Sequence, residues 1–168
     1  MKTLFVLRHA KAERDSATGR DFDRPLADRG WRDAEAVGRE ARARGLRIDA
    51  ALASPAKRAA ETVEAFERGY GELLVAFEPG IYEAGVARLV EIVTEADDTE
   101  KQLLIVGHNP GFEGLVHRLS KEPIAEISDG LPTAGLAAIE LSITQWSDAR
   151  EGIGRVVELI LPRDLRDR

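Results

Sequence analysis

Residues 102–111 read QLLIVGHNPG, and this stretch decides the fold. Leu103 to Val106 is an unbroken apolar run, stopped by Gly107 and then Pro110. A run this short, with no polar face, is the pattern of a strand buried on both sides in a parallel sheet. His108 stands just past its end. A helix is predicted from about Gly111, with Leu115, Val116 and Leu119 turned inward.

Two more segments repeat this arrangement. Thr3 to Leu7 is a short apolar strand that ends at Arg8-His9. Asp49 to Ala53 is another, followed by Ser54-Pro55-Ala56-Lys57-Arg58. Ser54 reads as the N-cap, and Pro55 as the first residue, of a helix running to about Arg68. Asp28 to Arg44 is predicted helical, since Trp31, Ala34, Val37 and Ala41 share one face and Gly45 follows. Leu73 to Phe77 reads as a third strand and Val86 to Ala96 as a third helix. Lys11–Pro25 and Lys121–Gly135 are polar and read as loops. Ala137–Ser142 and Val156–Leu161 read as closing strands that pair with each other. The charged tail, Arg163 to Arg168, is expected to fray. Strands and helices alternate, so an α/β sandwich with a largely parallel sheet is expected.

The length of 168 residues suits one domain spanning 1–168. Hydrophobic residues at 43% and charged residues at 32% indicate a soluble globular chain. A net charge of -6 gives no overall attraction to nucleic acid or to an anionic membrane. Any anion site must therefore be a local cluster of positive charge. The absence of cysteine excludes disulfides, thiolate metal ligands and a cysteine nucleophile, and fits a reducing compartment. The N-terminal apolar run, Leu4 to Leu7, is too short for a signal peptide, and no run approaches a membrane span. A cytoplasmic protein is expected.

In an open parallel sheet the C-terminal ends of the strands line one crevice, and ligands bind there. The residues just past the predicted strand ends are Arg8, His9, Arg58 and His108, with Lys11 nearby. Arginine keeps its charge when partly buried and offers a rigid fork of donors. Helix starts at Pro55 and Gly111 add backbone N–H groups and positive potential. Together these groups suit a phosphoryl group. Taken singly, each has a plainer reading: a strand-end histidine is commonly a loop residue, and an arginine in a first helical turn is commonly a surface charge.

The motifs also resemble a known family. The segment LRHAKAE is similar to the Arg-His signature of the histidine phosphatase superfamily. ALASPAKRAAETVEAF resembles its Ser-Pro-x-x-Arg helix, and LLIVGHNPGFEGL its second-histidine turn in the form of the SixA-type phosphohistidine phosphatases. DFDRPLADRG and LPTAGLAAIEL look like the same branch. The resemblance covers roughly Thr3 to Leu141 and implies a phosphoglycerate-mutase-like, three-layer α/β sandwich. It implies His9 as phosphate-accepting nucleophile, with Arg8, Arg58 and His108 as the phosphate pocket, and no metal or organic cofactor. Glu83, by family position, is the general acid; Asp23, Asp21 and Glu13 are alternatives in the loop after His9. Lys11 either reaches the phosphate or lines the entrance. Asn109 is a substrate-side candidate, and Asn109-Pro110 fixes the turn that presents His108. Thr133 either caps the site or turns the chain, and His117 reads as structural.

The expected activity is a metal-independent phosphatase whose substrate is a phosphohistidine protein, with phosphate as product. An imidazole leaving group needs less protonation than an alkoxide, so a site without an emphatic acid leans toward phosphoramidates. The alternatives are a small-molecule phosphomonoesterase and a non-catalytic phospho-binding module. A metal hydrolase is disfavoured, since no His-x-His or His-x-x-x-His spacing occurs and two arginines would repel a divalent cation. A mutase is disfavoured because few residues separate Arg58 from Glu83, leaving no inserted segment to enclose a small substrate.

Overall fold

The computed structural model describes residues 1–166. Eleven elements carry the fold: β1 (Lys2–Arg8), α1 (Asp28–Ala43), β2 (Ala50–Ala53), α2 (Lys57–Tyr70), β3 (Val75–Phe77), α3 (Val86–Thr94), β4 (Gln102–Gly107), α4 (Gly111–Leu119), β5 (Leu136–Leu141), β6 (Gly154–Ile160) and α5 (Pro162–Leu165). The strands form one sheet in the order β3-β2-β4-β1-β5-β6. β1 to β4 run parallel, whereas β5 is antiparallel to β1 and to β6. The two closing strands pair as their sequence predicts, and the sheet is largely parallel.

The apolar runs follow from a sheet covered on both faces. In β1, Leu4 and Val6 point to one core and Phe5 and Leu7 to the other, all 2% exposed or less. β4 repeats this, with Leu103 and Ile105 on one side and Leu104 and Val106 on the other. The first core is closed by α3 and α4 through Leu89, Phe112, Leu115 and Leu119, joined by Trp146. The second is closed by α1 and α2 through Val37, Ala41, Val63 and Phe66. α1 and α2 approach so closely that two positions admit only glycine. A Cβ on Gly38 would lie 2.2 Å from the Phe66 carbonyl oxygen, and one on Gly69 2.1 Å from that of Glu35.

Three expectations need correction. Ser54 is not the N-cap of α2 and Pro55 is not its first residue: the helix starts at Lys57, with Ala56 in the cap position. The Ser54 Oγ instead accepts the Ala56 N–H at 3.2 Å, a turn formed before the helix. β3 is shorter than its sequence run, because the Leu73 N–H is taken by the Glu67 carboxylate at 2.9 Å. The tail does not simply fray: Pro162–Leu165 form a helical turn, and Arg166 pairs with the buried carboxylate of Asp33 at 2.7 Å. Residues 167 and 168 lie outside the described residues.

Candidate active site

Strand register puts the three sequence turns side by side. Arg8 pairs with Gly107 across β1 and β4, and Ala53 with Val106 across β2 and β4. The ladder continues one step past the strands, where the His9 N–H donates to the Gly107 carbonyl at 2.9 Å and the Ser54 N–H to the Val106 carbonyl at 3.0 Å. His9, Ser54 and His108 therefore emerge from neighbouring strand ends. The rings of His9 and His108 are 5.3 Å apart.

Each of these side chains is fixed by a partner. Nδ1 of His9 is 2.8 Å from the Ala10 carbonyl oxygen. A carbonyl only accepts, so the proton is on Nδ1 and the lone pair is on Nε2. Nε2 of His108 lies 2.8 Å from the Ser54 Oγ. Arg8 donates through Nη1 to the Leu131 carbonyl at 3.0 Å. Arg58 donates through Nη1 to the Asp21 carbonyl at 2.8 Å and through Nη2 to the Asp21 carboxylate at 3.0 Å. Both arginines are thus tied at the tip of the fork. Their Nε atoms, and Nδ1 of His108, are buried with no hydrogen-bond partner among the described residues. Buried donors are nearly always satisfied, so three orphans beside one histidine mark the place of an acceptor-rich ligand.

Burial, more than the neighbouring charges, keeps both imidazoles neutral. His9 is lowered from 6.5 to about 4, first by desolvation and then by Arg58 and Arg8. His108 is lowered to about 3, again by burial first, then by His9 and Arg58.

The structure brings Arg8, His9, Arg58 and His108 together. Asn109 spends its side chain on the turn: Nδ2 donates to the Leu131 carbonyl at 2.8 Å and to Glu113 at 3.1 Å, while Oδ1 accepts the Glu113 N–H at 3.1 Å. Glu113 also accepts the Leu131 N–H at 2.9 Å, so one carboxylate links the His108 turn to the loop that holds Arg8. Lys11 is exposed. Glu83 is exposed too, and sits at φ 60°, a conformation unusual for a side chain other than glycine, next to Tyr82.

Three participants have no strong sequence signal. Asp21 faces Arg58 across 37 residues. Tyr82 donates its hydroxyl to the Asp21 carboxylate at 2.8 Å and packs its ring 5.5 Å from that of His108. Hydrogen bonds from Tyr82, Arg24 and Arg58 hold the Asp21 carboxyl well below the usual carboxylate range. Among the loop acids, Asp21 is therefore the one in the site, and it is ionised rather than a proton donor. Ser54, the third participant, is fully buried against His108. Among the described residues, no group of three or more His, Asp or Glu side chains stands close enough to hold a metal ion. No helix among them is long and apolar enough to cross a membrane.

Comparison with known proteins agrees with this geometry. The Histidine phosphatase superfamily (branch 1) matches residues 4–86, a span that holds Arg8, His9, Arg58 and Glu83. The uncharacterized protein Rv1276c of Mycobacterium tuberculosis is 33% identical over 168 residues, covering 94% of this chain and 100% of the relative. A candidate phosphohistidine phosphatase SixA from Agrobacterium tumefaciens superposes with a TM-score of 0.81 at 28% identity, over 96% of this chain and 99% of that one. The protein histidine phosphatase SixA complexed with tungstate shares the fold, with a TM-score of 0.75 at 22% identity over 97% and 99% of the two chains. The sheet, its strand-end histidines and its arginines are those of a phosphatase class. The chain belongs to the histidine phosphatase superfamily, on its SixA-type branch, with the phosphoglycerate-mutase-like fold.

Proposed function

We propose that this phosphatase hydrolyses phosphohistidine in a protein partner, through a phosphohistidine formed on its own His9 and without a metal. One observation carries the reading: the lone pair on Nε2 of His9 is left free beside three buried donors that have no partner among the described residues. The whole of 1–168 is taken as one catalytic domain, and a reducing, cytoplasmic setting fits the cysteine-free sequence.

In the first step Nε2 of His9 attacks phosphorus in line. The new N–P bond forms as the bond to the substrate imidazole breaks, and that imidazole, with a proton on its other ring nitrogen, leaves as a neutral ring with the bonding pair. Water then attacks the phosphorus of phospho-His9, inorganic phosphate departs, and His9 is restored. Little covalent work falls to the rest of the site; its task is to hold the equatorial oxygens. Arg8 and Arg58 supply their charge and their Nε–H groups. His108 supplies a donor even when neutral. Ser54 Oγ accepts from the Ala56 N–H, leaving its own proton for Nε2 of His108. The imidazole proton then sits on Nδ1, the atom with no partner. A protonated His108 is not required, which suits its depressed pKa.

The positive charge that a metal would bring is present in the two guanidinium groups. Asp21 is ionised and so does not serve as acid; Glu83 is the proton donor when the leaving group needs one. A weak demand for that donor favours an imidazole over an alkoxide as leaving group.

The test is a substrate panel run with and without EDTA. A phosphohistidine protein, an aryl phosphate and an alkyl phosphate are compared by kcat/KM. The expected order places phosphohistidine first, with no change on chelation. Preference for the alkyl phosphate would favour a small-molecule phosphomonoesterase. Binding without turnover of any compound would favour a phospho-binding module. Loss on chelation, with recovery on adding metal, would contradict metal independence.

A further inference from the structure

We propose that the free edge of β3 docks an extended, basic segment of the phosphorylated partner; this rests on the phosphoprotein reading above. β3 is the end strand of the sheet, and among the described residues only β2 pairs with it. The Leu74 carbonyl and the Glu78 N–H bond toward β2. In a parallel ladder the bonding residues alternate, so the backbone groups of Val75 and Phe77 face outward. Native sheets commonly protect such an edge with a charge, a proline or a covering loop. Here the edge carries Leu74, 71% exposed, and Phe77, 53% exposed, which with Met1 are the three most exposed large apolar side chains among the described residues.

A groove lies along each face of this strand. One, of about 570 Å³, runs between β3 and the end of α3; the other, of about 610 Å³, runs between β3 and α2. Successive residues of an added strand point to opposite faces, so alternate side chains would enter the two grooves. Both are acidic. Glu95, Asp97 and Glu100 line the first, and Glu61, Glu64 and Glu67 line the second, where Lys57 is the basic residue. A segment with Lys or Arg at adjacent positions sends one to each face and matches that charge in both. A second copy of this chain does not, since pairing two β3 edges would set the same carboxylates against one another. The edge also leads to the chemistry. β3 runs parallel to β2 and β4, and the chain continues from Phe77 through Pro79–Ile81 to Tyr82, whose ring touches His108. A docked strand therefore carries its flanking phosphohistidine toward His9.

The experiment uses synthetic peptides of about ten residues, built on Val-Lys-Lys-Val or Val-Glu-Glu-Val repeats that place charge on both faces, long enough to span a typical strand. Unphosphorylated peptide is titrated into the labelled protein and read by amide NMR. The same sequences carrying phosphohistidine beyond either end are then assayed beside free phosphohistidine. The Lys peptide is expected to shift the Val75 and Phe77 amides, and the Glu peptide to leave them in place. In turnover the Lys peptide should exceed the Glu peptide by about tenfold or more in kcat/KM. That advantage should vanish in Leu74→Asp/Phe77→Asp and, as a check against misfolding, in Glu64→Lys/Glu95→Lys. Free phosphohistidine should be turned over equally by all variants. No amide shift at Val75 and Phe77, or equal turnover of the two peptides, overturns the proposal. So does a dimer, seen by sedimentation, that Phe77→Asp dissociates. If no phosphohistidine compound is hydrolysed, the proposed substrate falls, while the amide shifts still decide the docking surface.

Discussion

The rings of His9 and His108 lie 5.3 Å apart, tilted by 53°. Two imidazolium ions at that separation would repel, with Arg8 and Arg58 beside them. The site therefore needs both rings neutral, and burial ensures it.

Stability should reveal this. Both folded pKa values, about 4 and about 3, lie below the ordinary histidine value of 6.5. The unfolded chain takes up protons first as pH falls, so the contribution is complete above the unfolded value and is lost on descending toward the folded ones. The urea midpoint should drop between about pH 6.5 and about pH 4. The double variant His9→Gln/His108→Gln should flatten that part of the curve relative to wild type. An unchanged slope would place the titration elsewhere. In the free enzyme, kcat/KM should also show no acid limb near the ordinary histidine pKa.

Ser54→Ala should damage turnover through His108 alone. Without the hydroxyl nothing fixes the proton on Nδ1, and one donor to the phosphate is weakened; losing such a donor typically costs about 10²–10³-fold in kcat. Nitrogen NMR of the imidazole reads the tautomer directly. The wild type should show Nδ1 protonated, and Ser54→Thr should restore both tautomer and rate. Full activity in Ser54→Ala with an unchanged tautomer would leave Ser54 a packing residue.

Much of this site was legible because short apolar strands advertise themselves. Leu103 to Val106 and Leu4 to Leu7 are buried on both faces, and the turn after each is fixed by the strand end, so His9 and His108 were bound to meet. Ser54 was visible but misread: Ser-Pro before a helical run looks like a cap, whereas the helix begins two residues after Pro55 and the hydroxyl goes to His108. Asp21 and Tyr82 were not legible as a pair. Their contact spans 61 residues and depends on how a loop of irregular backbone folds over α2, which no periodicity encodes. The tail was misjudged for a similar reason, since the partner of Arg166 is Asp33, far away in sequence and buried on α1.

Replacing Glu83 by Gln should separate substrates by leaving group. An imidazole departs with little protonation, and an alkoxide does not. General acid catalysis contributes about 10²–10⁴-fold, so the loss in kcat/KM should be large for an alkyl phosphate and small for phosphohistidine. Equal losses would mean that Glu83 shapes the site from its φ 60° position without delivering a proton. A large loss on phosphohistidine alone would contradict the leaving-group reasoning.

The central claim is that Nε2 of His9, freed by the Nδ1 hydrogen bond to Ala10, takes the phosphoryl group. Rapid quench with labelled phosphohistidine substrate tests it most directly. Wild type should trap label on the protein that is stable to base, lost in acid, and located at His9 by peptide mapping. His9→Ala should trap none and turn over nothing, while still binding vanadate through Arg8, Arg58 and His108. Acid-stable label, label at another residue, or turnover by His9→Ala would contradict the account.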